Sequence, residues 1–210
     1  MSTEALIHRL RFVDSCVEAI DWVQETRAPD MHTAWNNLDS GQWLCWVSVR
    51  VLGLPAVKAL TSAVRGVAPL LTPAALATLD HAQAYADGKK NDEEALLIEA
   101  FDATGTGLHV AGAPGAALLA VSYAAHCAVK LKQAAKVAAS PEGNRLSLRA
   151  SAHAADAVLH ALIASPGLAP KLPALVRSHI DERALSKAWH ALPATPPAAA
   201  SAGARPSTQR

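Results

Sequence analysis

The sequence predicts an all-α fold: a single-domain bundle of about seven to nine helices over residues 1–191, with a disordered Pro/Ala/Ser-rich tail at 192–210. Two compositional facts and one absence carry this reading. Apolar residues make up 51% of the 210-residue chain and aromatics only 4%, so alanine, leucine and valine must fill the core. Alanine is the best helix former and a poor strand former. No segment alternates Val, Ile, Thr and Tyr with period two, as a strand would.

The helices can be read in order. Leu6, Leu10, Val13, Val17 and Ile20 form one apolar stripe, which predicts a continuous first helix that Pro29 ends. Asp30 caps a short helix carrying His32, Ala34 and Trp35. Asp39 and Gln42 suggest a capping box opening the apolar run 42–52, with Gly53 just past its end and Pro55 as a stop. Pro55 starts a helix through Leu60 and Val64, and Thr72-Pro73 caps and starts the next, which reaches Gly88. Asn91 caps a helix holding Leu97 and Phe101. The glycine-rich stretch 104–115 reads as a loop, after which Pro114 begins a long helix reaching Ala139. Ser140-Pro141 starts a second long helix ending at Ser165, so the two form a hairpin. A last helix includes Leu175, Val176, Ile180, Leu185 and Trp189. From Pro193 onward periodicity and bulk are both missing.

Charge excludes some functions. Nineteen basic and eighteen acidic residues nearly cancel, and the cations from Lys130 to Arg149 are too dilute to track a phosphate backbone. No nucleic-acid partner is expected. Cys16, Cys45 and Cys127 form no CxxC pair and read as buried free thiols in a reducing, cytoplasmic setting. The N-terminal residues lack the apolar core of a secretory signal. Residues 103–129 carry no Asp, Glu, Lys or Arg, which is long enough to span a bilayer. Their glycines and alanines favour a buried central helix, so no membrane partner is expected.

Three constellations could carry chemistry. Gly105, Gly107, Gly112 and Gly115 fall short of a dinucleotide fingerprint, because position 110 is valine and no strand precedes them. No cofactor is expected. His153, Asp156 and His160 stand three and four apart on one helix face. That spacing can hold a metal if His126 or His109 adds a ligand, and otherwise makes a polar stripe. Trp22, Trp35, Trp43 and Trp46 cluster in a chain otherwise poor in aromatics. They either form the dense hub of the core or leave one indole exposed to anchor a partner. Nucleophilic catalysis has no arrangement to support it.

The stretch from Cys16 to Trp22, then Ala34-Trp35-Asn36-Asn37, then Gly41-Gln42-Trp43-Leu44-Cys45-Trp46 through Leu52-Gly53, resembles the opening of the Imm5-like immunity protein family. Its pattern there is an EA…W helix, an AW turn and a GxWxxW helix ending in LG. His81 to Gly88, Glu93-Glu94 and the closing Leu175 to Ile180 are also similar. The resemblance implies a bacterial protein that neutralises a toxin by direct binding, with no catalytic residues to carry over. The expected function is therefore non-enzymatic binding of another protein, such as a cognate toxin. The alternative is a metal-dependent helical-bundle enzyme built on His153, Asp156 and His160.

Overall fold

The computed structural model describes residues 2–138 and 140–192 and is helical throughout, with no strand among the described residues. It holds eleven α-helices in that range, more than the sequence suggests, because two apparently continuous helices are each broken. The expected tail lies, from residue 193, outside the described residues.

The first break separates α1 (Thr3–Phe12) from α2 (Val17–Thr26). Asp14 takes a left-handed conformation at φ 57°, which costs a non-glycine residue and needs support from elsewhere. That support comes from the buried guanidinium of Arg50 on α4 (Gly41–Leu52): Nε donates to the Val13 carbonyl at 3.0 Å, and Nη1 and Nη2 reach Ser147 and Asn144 on α9. The apolar stripe runs through the break, so periodicity alone does not show it. The second break is at Ile180–Asp181, where the Asp181 side chain caps α11 (Glu182–Ala191) after α10 (Leu172–His179).

Several expected caps hold. Asp30 accepts from the Thr33 amide at 2.8 Å to start α3 (Met31–Asn37). Thr72 caps α6 (Pro73–Ala86) and Ser140 caps α9 (Pro141–Ala164). Two caps move by one residue. Ser40, not Asp39, caps α4 by accepting from the Trp43 amide, and Asp92, not Asn91, caps α7 (Glu93–His109). In each case the residue nearest the first turn has the shorter reach to its free amides.

The glycine-rich stretch is not a loop. Helix α7 continues through Gly105 and Gly107 to His109, and only three residues separate it from α8 (Ala113–Lys136). A Cβ on Gly115 would lie 1.8 Å from the Val110 carbonyl oxygen and 2.7 Å from that of Gly107, and one on Gly107 would lie 3.0 Å from the Gly115 carbonyl. These glycines let two helices touch backbone to backbone. A hydrogen bond between Thr104 and Ser122, 2.6 Å long, closes the same seam.

Helix α8 is the axis of the molecule, packed by α5 (Val57–Arg65), α6, α7 and, along its length, α9. It ends at Lys136, short of the expected Ala139. By length and composition it could cross a membrane, yet most of it is buried against these neighbours. Helix α9 also packs on α4, while α10 covers α4 and α5, and α11 covers α3 and α4. One core cluster runs from Leu6 to Trp189.

Candidate functional site

The four clustered tryptophans line one cleft. Trp22 comes from α2, Trp35 from α3, and Trp43 and Trp46 from consecutive turns of α4. Leu6 and Leu10 of α1 and the α9 residues Ala152, Ala155 and Asp156 complete an opening of about 320 Å³. The indoles divide by role. Trp35 is 3% exposed and belongs to the core, whereas Trp22, Trp43 and Trp46 are half-buried, and of these Trp22 and Trp46 pack against the core. One indole is thus a core residue, and three keep part of their surface in the cleft.

Specific bonds anchor the α3 side of the cleft. Arg177 of α10 donates to the Trp35 carbonyl from Nε at 3.0 Å and from Nη2 at 2.6 Å, and to the Leu38 carbonyl at 2.6 Å. These are the carbonyls that the end of a short helix leaves unpaired. His32 and Glu182 pair across α3 and α11. A seven-residue helix would be marginal alone, so Trp35 is placed by residues some 140 positions away.

Cys16 departs from the expected burial. It is exposed at the start of α2 and lines the cleft, while Cys45 and Cys127 are buried. The break at Asp14 causes the difference, because it places Cys16 at a helix entry rather than inside a continuous stripe. Burial pushes the Cys45 thiol up to about 12 and the Cys127 thiol up as well, so neither ionises at neutral pH.

His153, Asp156 and His160 do share α9, but they do not gather a metal site. Among the described residues no three His, Cys, Asp or Glu side chains are placed to hold an ion. The tyrosine of the hairpin partner intervenes. Tyr123 on α8 stacks on His160 with centroids 5.3 Å apart and lies 5.7 Å from His153, which in turn lies 5.7 Å from His126. Phe101 meets His126 edge-on at 5.3 Å. The result is a ladder of five rings across α7, α8 and α9. Burial, with His126, Lys130 and Arg149 adding like charge, pushes His153 down to about 4, and its Nδ1 is buried without a hydrogen-bond partner. His126 donates through Nδ1 to the Ser122 carbonyl at 2.9 Å when that nitrogen carries the proton. The ladder is an aromatic stack rather than a ligand set.

Asp156, one turn from His160 on α9, also lies on the cleft wall. Sequence spacing grouped it with the histidines, and the structure groups it with the tryptophans. Tyr123 was not singled out from the sequence. A signal existed, since His126 and His153 are nearly equidistant from the Ser140 turn, and an antiparallel hairpin brings such positions together.

Outside the cleft, Glu93 does more than start a helix: it accepts from Tyr85 at 2.7 Å and Gln133 at 2.6 Å, and pairs with Lys136, tying α6, α7 and α8. Lys132 lies 4.1 Å over the Tyr85 ring and bonds Asn91. His81 pairs with Glu99 at 3.0 Å. These contacts join core helices. A second apolar surface runs along the outer face of α7, where Ile98, Phe101 and Leu108 are 56%, 63% and 71% exposed. It has no indole.

Set against family models, curated proteins and solved structures, the chain matches none.

Proposed function

We propose that the chain is a non-enzymatic, cytoplasmic binding protein that docks another protein in the tryptophan cleft, and that the partner is a toxin it neutralises. The observation that carries the binding reading is the cleft itself: three half-buried indoles from two helices around a preformed apolar concavity. Tryptophan gives a large contact area at small entropic cost and dominates interface energetics where it is partly enclosed. The neutralising role rests on the resemblance of the same segment, Trp22 through Trp46, to immunity proteins. Where the alternative reading needs the histidines as metal ligands, they stand in the ring ladder, which favours the binding reading.

The test uses the full chain in its native host, with a photo-crosslinking amino acid replacing Trp43 or, as the rival surface, Phe101. The expected result is one protein captured from position 43 and not from 101. Expressed alone, that protein should arrest growth, and co-expression of the wild-type chain should restore it. The Trp43→Ala, Trp46→Ala variant should remain folded by circular dichroism and fail to rescue. Capture from 101 alone, or none from 43, overturns the cleft as the docking site. A captured protein that is harmless removes the toxin and leaves the binding.

A further inference from the structure

Charge narrows what the cleft holds. Its wall is apolar and aromatic, with Ser15, Cys16 and Gln42 as minor polar contributors and Asp156 as its single charged residue. Among the described residues no hydrogen bond or ion pair reaches the Asp156 carboxylate, whose electrostatic neighbour is His160, one turn along α9. Every other buried or half-buried charge discussed above has a partner: Arg50 has Asp14, Arg177 has carbonyls, and Glu93 has Tyr85 and Lys136. A carboxylate that loses part of its water without a partner is a cost to the fold. Beside indole faces, which carry negative charge density, that cost is offset when a cation arrives.

We infer that the tryptophan cleft takes a cationic side chain on an apolar stem, presented by the partner protein, with its stem among Trp22, Trp43 and Trp46 and its head at Asp156. This rests on the reading of the cleft as the docking site and adds the chemistry of its occupant. An acidic group is rejected by Asp156 and by the ring faces alike, and a neutral apolar group leaves the carboxylate desolvated and unpaired. A lysine or arginine satisfies both features: its methylenes cover indole surface while its head meets the carboxylate.

The purified full chain is titrated with n-hexylammonium and, separately, with n-hexanol at low salt, with tryptophan fluorescence as the readout. The ammonium should bind about tenfold more tightly than the alcohol. Asp156→Asn should bring the two within about twofold of each other by weakening the ammonium alone, and raised salt should do the same in part. The variant should melt no lower than wild type, since it removes an unpaired carboxylate. Equal binding of the two probes, a preference that survives in Asp156→Asn, or no binding of either overturns the inference. These outcomes are separable from the docking test. A cleft that captures a partner from position 43 but ignores the ammonium keeps docking and loses the cation. A cleft that prefers the ammonium but captures nothing keeps its cation chemistry and loses the protein partner.

Discussion

Replacing Gly115 by alanine places a methyl group where the backbone of the neighbouring turn already stands. The added carbon would sit 1.8 Å from the Val110 carbonyl oxygen and 2.7 Å from the Gly107 oxygen, whereas ordinary carbon–oxygen contact needs roughly 3.3 Å. The obstacles are backbone atoms, so no rotamer change relieves them, and α7 and α8 must separate or the connection must refold. Overpacking typically costs 1–3 kcal/mol, and a clash with fixed backbone belongs at the upper end, about 3 kcal/mol. For a chain of this size about 1 kcal/mol moves the melting temperature by 2–4 °C, so Gly115→Ala should lower it by about 6–12 °C. Gly105 supplies the contrast, because nothing lies within 4 Å of its added Cβ and it sits inside α7. Alanine there gains about 1 kcal/mol of helix propensity and should raise the melting temperature by about 2–4 °C. Thermal melts followed at 222 nm read both changes. A Gly115→Ala protein that melts with wild type would refute the close seam. A Gly105→Ala protein that melts lower would show that α7 does not continue through the glycines.

Two further outcomes follow from the site's supports. His153 titrates near 4 in the folded chain against 6.5 ordinarily, so between those values the unfolded chain binds more protons and stability falls as pH drops. Solvent contact at the ring screens the effect to about 1–2 kcal/mol. Urea midpoints should therefore fall from pH 7 to pH 4.5, and His153→Phe should flatten that slope. Asp156, whose carboxyl is raised by burial, acts in the opposite sense and is common to both proteins; an unchanged slope in the variant would refute the assignment. Arg177→Ala leaves the Trp35 and Leu38 carbonyls without their donors and should cost about 2–3 kcal/mol. Hydrogen exchange should accelerate in α3 and not in α7, and uniform acceleration would mean that Arg177 does not act locally.

The fold class was legible because it rests on local physics. An alanine-rich, strand-poor composition and cap-plus-proline starts at Thr72-Pro73 and Ser140-Pro141 act within one helical turn, where sequence neighbours are also spatial neighbours. The tryptophan cluster was legible as a group for the same reason, all four lying between residues 22 and 46. What failed is long-range. The break at Asp14 depends on Arg50, which arrives from another helix, so an unbroken stripe of apolar residues gave no sign of it. The glycines at 105–115 read as a loop because a glycine's local preference is for flexibility, while Gly107 and Gly115 admit a neighbouring backbone.

The same division holds at the site. The spacing of His153, Asp156 and His160 put three polar residues on one helix, and α9 carries all three. It could not say that Tyr123 would enter from α8 and occupy the histidines. Nor could it say that Asp156, on the same helix, would line the cleft that the indoles line. A helix face is wide enough to meet two neighbours at once, and only packing decides which residue meets which. Local chemistry set the helical class, the cap-plus-proline starts and the grouping of the indoles, because each acts within a turn or two of chain; packing between distant helices set the breaks, the glycine seam and the cleft with one unpaired carboxylate in its wall.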